Sequence, residues 1–361
     1  MTHTDNQEIG FAISVPIGGY HPLLRDCLRS LAIQTPRPQI AALDASGDPK
    51  VAAVLDEFAD IIAYRRAGPD GGQSDAIIEG WENVAGDVLG WLNADDALYP
   101  GALAEAAAHF RSRPETDVFY GHTVIIDDDD IIKGYHWAVE PPSERILSGG
   151  IISQPSCFFK RRKLNEIGGL DRDLHYTMDW DLWVRFWRAG ADFQFTENTL
   201  SRVLWSREAK TGGFNRARRR ELERIIGANA NFIQRVKSRL GFALHHVFEY
   251  LTPPALADAV RRRPGNDAHA VHGLARSGEV KASAVIPLVH FDDAPKERLI
   301  VSLEGEGFQG ALSAGASRLD AVGGGDYELA LKTPAPPGET LALEIETQGS
   351  KPMRLIGLRW A

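Results

Sequence analysis

Two adjacent carboxylates, Asp95 and Asp96, close an apolar run that begins at Val88. The run Val88-Leu89-Gly90-Trp91-Leu92 has the length and apolarity of a strand that is buried on both faces. Carboxylates at the carboxyl end of a buried parallel strand lie where open α/β sheets bind ligands. Asn and Asp are also common turn residues, so a solvated turn before a helix at Pro100 is the alternative interpretation.

A second candidate group is the carboxylate of Asp179, near the start of a helix predicted from Thr177. A helix N-terminus favours a charged carboxylate, so Asp179 is either a helix-capping acid or a catalytic base. Trp183 and Phe186 share one face of this helix with Leu182. We interpret both aromatic residues as core packing.

The elements that must position these acids alternate between strand and helix, which favours a mostly parallel sheet covered by helices. The predicted strands are Ile9–Pro16, Gln39–Leu43, Ile61–Tyr64 and Val88–Leu92, and the predicted helices are His21–Ile33, Val51–Phe58, Gln73–Val84 and Pro100–Phe110. Two further strands, 118–126 and 131–137, are joined by four acids, Asp127 to Asp130. A calcium loop would need spaced oxygen ligands, so a solvated hairpin turn is favoured.

The chain changes character after residue 215. Arg216–Arg239 is rich in Arg with apolar residues at helical spacing, which is typical of a surface helix packed on its own domain or of a helix on an anionic membrane. Pro253 to Gly265 is a predicted linker, and the short alternating runs that follow predict a small β-sandwich. The predicted domains are 1–215, 216–265 and 266–361.

Bulk composition excludes several protein classes. The chain has 361 residues and a formal net charge of -9, which argues against general nucleic-acid binding. Only two cysteines occur, which indicates a reducing cytosolic setting. Neither a signal peptide nor an apolar stretch of spanning length is evident, so we expect a cytoplasmic protein, with peripheral contact at the inner face of a membrane as the alternative.

The first 215 residues or so resemble the GT-A fold glycosyltransferases of family two, whose core is Rossmann-like. The order and spacing of several segments carry this resemblance. They are Phe11–Pro16, Leu43–Gly47, Gly68–Ala76, Leu92–Asp96, Gln154–Ser156 and Asp179–Trp183.

The resemblance implies an inverting hexosyltransferase of polysaccharide or glycoconjugate biosynthesis. It would use a UDP-, GDP- or dTDP-sugar, a divalent metal (Mn²⁺ or Mg²⁺), and a glycan or lipid-linked acceptor. A hard cation held by carboxylates would stabilise the charge that grows on the leaving diphosphate.

By residue-by-residue carry-over, Asp96 binds the metal and Asp95, in a DxD-like motif, binds the metal shell or the donor ribose. By the same carry-over, Asp179 would be the general base. The remaining donor-binding candidates are Pro16, Asp44, Ser46, Gln73, Asp75 and Asn93, with Asp44 at the nucleotide base. Gln154, His175 and Trp180 are acceptor-binding candidates, for each of which plain packing is the alternative.

Two departures from the family pattern keep another function open. Asn93 stands where an acid is frequent, and the segment 202–211 lacks the His that many relatives place there. Arg207 or Lys210 would then neutralise the diphosphate. These departures favour a non-catalytic glycan- or nucleotide-binding protein with a GT-A fold as the alternative. A sugar nucleotidyltransferase is disfavoured because Pro16–Tyr20 lacks a Lys or Arg.

Overall fold

The computed structural model describes residues 9–136, 138, 142–205, 216–246, 270–275, 277–349 and 351–361. Its N-terminal half alternates strands and helices, as predicted. The elements are β1 Phe11–Ile17, α1 Leu24–Ala32, β2 Gln39–Asp44, α2 Pro49–Glu57, β3 Ile62–Ala67, α3 Gln73–Asn83, β4 Val88–Trp91, β5 Ala97–Leu98, α4 Ala102–Ser112, β6 Val118–Ile126, β7 Ile132–His136, β8 Cys157–Lys160, α5 Arg161–Glu166, α6 Met178–Arg188 and β9 Phe193–Leu204. The strands β5, β8 and β9 were not predicted from the sequence.

The first four strands form a parallel sheet in the order β3-β2-β1-β4. Every residue of β1 and β4 is buried, because one helical layer and its core cover each face of the sheet. The outermost strand, β3, alternates between half-buried and exposed residues. This arrangement confirms the predicted α/β architecture and brings the carboxyl ends of β1, β2 and β4 to one edge.

Helix α3 lies unusually close to β1, and Gly80 makes that approach possible. The Ser14 hydroxyl of β1 donates to the Ile77 carbonyl of α3 at 2.9 Å. A Cβ on Gly80 would lie only 2.3 Å from the Ser14 Oγ, which a side chain cannot accommodate. A glycine is therefore required here for helix-to-sheet packing.

The long strand β6 joins the parallel sheet to the rest of the molecule. On one side it pairs in parallel with β9; on the other, its first half pairs with β8 and its second half with β7. Strand β8 also pairs antiparallel with β4, which completes the connection. The turn Asp127–Asp130 between β6 and β7 confirms the predicted hairpin: the Asp127 carboxylate accepts from the amides of Asp129 and Ile131.

The C-terminal part is a sandwich of antiparallel strands, as predicted. Its strands are β10 Ala270–Val271, β11 Leu274–Ala275, β12 Ser283–Leu288, β13 Lys296–Glu304, β14 Gln309–Ala314, β15 Ser317–Val322, β16 Gly325–Ala335, β17 Leu341–Gln348 and β18 Arg354–Trp360. One sheet has the order β12-β17-β14-β15. The other, β16-β13-β18, continues into the first sheet, because β18 pairs with β7 through Leu358 and Ile132.

One hydrophobic core serves both the sandwich and the edge of the N-terminal domain. It contains Tyr99, Val124 and Ile126 from the N-terminal part beside Leu299 and Leu343 from the sandwich. The sandwich and the N-terminal part therefore share both a sheet and a hydrophobic core.

Two helices, α7 Arg216–Asn229 and α8 Phe232–His246, replace the single basic helix predicted over 216–239. Helical structure is interrupted at Ala230 and Asn231, between α7 and α8. Ile225 and Ile226 of α7 are buried in the same hydrophobic core as residues of α6. No helix in the described ranges is both long and apolar enough to cross a lipid bilayer. The predicted linker 253–265, like Arg207 and Lys210, lies outside the described residues.

Candidate functional site

The acidic turn after β4 lies at the carboxyl edge of the parallel sheet. The Asp96 amide donates to the Asn93 carbonyl at 3.1 Å, so the backbone does form the turn that its residue types indicated. Asp96 is nevertheless buried, at only 2% exposed, whereas Asn93, Ala94 and Asp95 are half-buried. A buried carboxylate at this edge matches the ligand-binding interpretation.

The amide side chain of Asn93 is the centre of a hydrogen-bond network. Its Nδ2 donates to Asp96 Oδ2 at 3.0 Å and to Gln154 Oε1 at 3.3 Å. Its Oδ1 accepts from Gln73 Nε2 at 2.8 Å. Gln154 is held in turn by donation from its Nε2 to the Trp91 carbonyl at 2.6 Å. The structure thus brings together four residues that the sequence assigned to the donor, acceptor and metal sets.

Burial of the negative charge on Asp96 is unfavourable, and the hydrogen bonds of this carboxylate reduce that cost without removing it. Burial raises the pKa of Asp96 well above its usual range, and the neighbouring Asp95 carboxylate raises it further. The Leu204 amide, at 3.4 Å from Oδ1, and Asn93 oppose this shift. Within the described residues, no group of three or more His, Cys, Asp or Glu side chains forms a ready metal cluster.

The glycine-rich loop before α3 is braced by an arginine and a carboxylate. Arg66 donates to Asp70 Oδ2 at 2.8 Å, and Asp70 Oδ1 accepts from the Gly72 amide at 2.9 Å. Gly72 has a φ of +121°, and a Cβ there would lie 3.4 Å from the His175 ring. A Cβ at that distance would make only an ordinary contact, so it is the positive φ that favours glycine here.

Asp75, in the first turn of α3, faces the same loop. Its carboxylate accepts from the Gly71 amide at 3.3 Å and forms an ion pair with Arg172. Arg172 was not among the candidate residues, and its surroundings in the sequence, Leu170-Asp171-Arg172-Asp173, hold no signal that would have indicated it.

Asp44 ends β2 and forms a compact turn with Ser46. Asp44 Oδ1 accepts from the Ser46 amide at 2.8 Å and from the Ser46 hydroxyl at 2.5 Å. Pro16 lies beside them on β1, paired in register with Leu43. These three candidates share the sheet edge with the acidic turn, and no direct bond links them to the Asn93 network among the contacts described.

Helix α6 is fixed against β4 by stacked indoles. The rings of Trp91 and Trp183 lie 6.0 Å apart at an interplanar angle of 17°, and Phe186 packs beside Trp183. The assignment of Trp183 and Phe186 to the core is confirmed, since both are at most 1% exposed. Because Trp91 ends β4, two residues before the turn that begins at Asn93, this stacking connects the helix of Asp179 to the strand that leads to Asp96.

Asp179 is partly buried in the first turn of α6. Burial raises its pKa, while the backbone amides of Asp179 and Trp180 and the nearby Arg218 of α7 oppose the rise. A carboxylate with a raised pKa is a stronger base than an ordinary Asp, whose pKa is about 3.9. The backbone amides at the start of the helix also donate to the Asp179 carboxylate. The structure therefore agrees with both interpretations of Asp179, as a helix-capping acid and as a catalytic base.

The start of α6 is held by a residue that the sequence did not indicate, Glu221 of α7. Its carboxylate accepts from the amides of His175 and Tyr176, each at 3.0 Å, and from the Thr177 hydroxyl at 2.9 Å. Glu221 is 8% exposed. In the sequence it follows three arginines, 218–220, where a single acid resembles an ordinary surface charge.

The three acceptor candidates differ in their surroundings. Gln154 belongs to the Asn93 network, and His175 is an exposed residue whose ring lies over the glycine loop. Trp180 is buried: its Nε1 donates to the Ile146 carbonyl at 2.6 Å, and its ring packs edge-on against Phe242 of α8. For Trp180 these contacts support the packing alternative, whereas Gln154 and His175 border the candidate site.

Arg202, near the end of β9, is a buried link between parts of the molecule. It bonds Asp26 of α1 at 2.5 Å and Asp130 of the β6–β7 turn at 3.4 Å, and its guanidinium lies 5.3 Å from the centroid of the Phe291 ring. These contacts hold α1, the β6–β7 turn and the sandwich together, so we assign Arg202 a structural role. Its positive charge also lowers the pKa of Asp96 slightly.

Comparison with known proteins agrees with this geometry. Residues 13–170 match the family described as glycosyl transferase family 2. An uncharacterised glycosyltransferase of Rickettsia typhi is 24% identical over 255 residues, which cover 62% of this chain and 77% of that protein. A PGL/p-HBAD biosynthesis glycosyltransferase of Mycobacterium bovis is 26% identical over 180 residues, which cover 48% of this chain and 68% of that protein.

A solved structure with a similar fold is that of residues 1–349 of Staphylococcus aureus TarS in complex with UDP-GlcNAc. The alignment covers 71% of this chain and 76% of the TarS chain, with a TM-score of 0.51 and 15% sequence identity. At this identity the likeness concerns the fold, and it supports a GT-A architecture.

Proposed function

Since the chain belongs to glycosyl transferase family 2 through residues 13–170, we propose that it is a metal-assisted inverting glycosyltransferase. It would move a sugar, a hexose in our proposal, from a nucleotide diphosphate to an acceptor hydroxyl of a glycan or glycoconjugate. The observation that carries this proposal is the Asn93 network, which fixes Asp96 at the carboxyl edge of the sheet beside the glycine loop. An ordinary surface turn has no need of such a network.

The acidic turn has the chemistry of a site for a hard divalent cation. Asp95 and Asp96 offer carboxylate oxygens, which Mg²⁺ and Mn²⁺ prefer. Burial and the neighbouring Asp95 raise the pKa of Asp96, and a bound cation would stabilise the charged form of this carboxylate. Such an ion would supply charge stabilisation for the leaving diphosphate.

The donor would lie along the carboxyl edge of β1, β2 and β4. We assign the nucleotide base to the Asp44–Ser46 turn and the diphosphate region to the glycine loop and Asp75. The contacts of Arg66 with Asp70 and of Arg172 with Asp75 would order this loop before the donor binds. A site that is ordered in advance loses less conformational entropy on binding.

Asp179 would act on the acceptor as general base. The acceptor hydroxyl attacks the anomeric carbon on the face opposite the leaving group, a carbon–oxygen bond forms as the bond from that carbon to the diphosphate oxygen breaks, and the proton passes to Asp179. The attack inverts the configuration. Burial of Asp179 favours proton acceptance, and the anchored start of α6 positions the carboxylate.

A donor screen tests this proposal. Thermal unfolding is measured with UDP-, GDP- and dTDP-sugars, with and without Mn²⁺, beginning with UDP-GlcNAc. We expect one donor to raise the unfolding temperature in a metal-dependent way, because a ligand of the native state stabilises it, and Asp96→Ala to remove the effect. A stabilisation that Asp96→Ala leaves intact contradicts the metal site, and donor binding without turnover with any acceptor favours the non-catalytic alternative.

A further inference from the structure

One side of α8 exposes an apolar stripe to solvent. Nothing in the described part of the chain covers its five large side chains, which are between 52% and 80% exposed. They are Phe232, Ile233, Val236, Leu240 and Leu244. At 100° per residue these positions fall within an arc of about 120°, which is the width of a single helix face.

The opposite side of the same helix, which faces the protein, is polar or small. Gln234 is buried and donates to Glu144 at 3.0 Å, Ser238 is fully buried, and Gly241 lies against Ser148. Phe242 is the exception, and it packs on Trp180. A helix that only covered its own domain would turn its apolar side inward, so the exposed stripe requires another explanation.

Basic side chains border the stripe. Residues 232–246 include Arg235, Lys237 and Arg239 and no Asp or Glu, although the whole chain carries a net charge of -9. By helical geometry, Arg235 and Arg239 lie on one border of the arc, where Arg239 forms an ion pair with Glu223 of α7, and Lys237 lies on the other. Helix α7 also exposes three arginines, Arg216, Arg219 and Arg220.

We propose that α8 docks on the surface of an anionic lipid bilayer, with the stripe at the acyl boundary and the basic borders at the headgroups. This pattern of an apolar arc between cationic borders is the chemistry that binds an interfacial helix to acidic lipids. A second copy of the chain fits less well. A two-fold contact through the stripe would bring the basic borders of the two copies together, and like charges oppose such a contact.

The position of α8 gives this docking a consequence that rests on the proposed function. Phe242 of α8 packs on Trp180, the residue after Asp179. Docking through α8 therefore brings the acceptor side of the site close to the lipid surface, which suits an acceptor attached to a lipid.

Vesicle flotation with the full-length protein tests the docking independently of turnover. Vesicles are made of phosphatidylcholine alone or of phosphatidylcholine mixed with phosphatidylglycerol. We expect the wild type to float with the anionic vesicles and to be released by salt, and Leu240→Ser with Leu244→Ser to lower binding roughly tenfold or more. Lys237→Gln should lower binding to anionic vesicles about fivefold.

The matched control replaces Val322 and Ile356, exposed apolar residues of the sandwich, by Ser; its binding should equal that of the wild type. Circular dichroism verifies folding, and Lys237→Gln, a change at an exposed side chain, keeps the test valid if the Leu variant does not fold. Absence of flotation in the wild type, or equal flotation of the stripe variant, overturns the proposal. The proposal is also overturned if the wild type binds no vesicles but forms a dimer in sedimentation velocity, and the stripe variant does not form that dimer.

Discussion

Glu221 is the residue whose replacement tests the positioning of the site in most detail. Its carboxylate supplies acceptors to two amides and one hydroxyl just before α6, where Thr177, the residue that caps the helix, makes no side-chain capping bond of its own. A buried carboxylate from α7 thus orders the turn that leads into the helix of Asp179.

Glu221→Gln keeps the shape of the side chain but leaves one acceptor oxygen in place of two. At least one of the three bonds is lost, and an NH₂ group faces an amide N–H. Because Glu221 is only 8% exposed, solvent cannot replace the lost bond. A hydrogen bond to a charged group contributes about 1.5–3 kcal/mol, so we expect the free energy of unfolding to fall by about that amount.

The same substitution should affect catalysis through the position of Asp179. We expect kcat to fall roughly tenfold to a hundredfold, with the donor KM nearly unchanged, because a misplaced catalytic group slows the chemical step. Urea denaturation and steady-state kinetics measure the two effects. The control is Glu223→Gln on the same helix, which removes only an exposed ion pair with Arg239 and should change neither quantity. Wild-type stability and kcat in Glu221→Gln would refute the positioning role.

Three further predictions concern charge, domain structure and the glycine loop. The pKa of Asp96 is higher in the native state than in the unfolded state. At pH values between these two pKa values the native state binds more protons than the unfolded state. The free energy of unfolding should therefore fall as the pH rises above about 4. Asp96→Asn should remove that part of the slope in urea denaturation. Truncation after residue 265 should yield an insoluble protein, because it exposes the shared core around Tyr99. Arg172→Ala should raise the donor KM several-fold without changing kcat, because Asp75 loses its ion-pair partner.

Each of these predictions has an outcome that contradicts it. An unchanged pH slope in Asp96→Asn would mean that the burial of this carboxylate is compensated. If the fragment that ends at residue 265 is soluble and unfolds cooperatively, the sandwich is a separable domain, as the composition shift near residue 265 indicated. An unchanged donor KM in Arg172→Ala would mean that Asp75 does not contact the donor.

The sequence predicted the parallel core well because its signals are local. Strands buried on both faces appear as continuous apolar runs, and the glycine loop and the acidic turn follow them directly. The structure accordingly brings Gln73, Asn93, Asp96 and Gln154 into one network. That these residues bond each other could not be deduced from the sequence, since Gln154 lies 61 positions after Asn93.

The features that the sequence did not predict depend on tertiary contacts. The pairing of Leu358 with Ile132 joins the sandwich to the first sheet across more than half of the chain, and no local pattern encodes it. Glu221 and Arg172 resemble solvated charges in the sequence, and only the packing of α7 and α3 gives them roles. For α8 the amphipathic pattern was visible, but which side faces the protein depends on its position beside Trp180.

The most direct test of the account measures the two activities of an Asp179→Asn variant. Sugar transfer to an acceptor and affinity for the donor are compared with those of the wild type and of Asp173→Asn, a control at an exposed acid six positions earlier. If Asp179 takes the acceptor proton, transfer should fall by roughly a hundredfold or more, donor affinity should stay the same, and the control should match the wild type. Full transfer by Asp179→Asn, or loss of donor binding together with transfer, would contradict the assignment of Asp179 as the base.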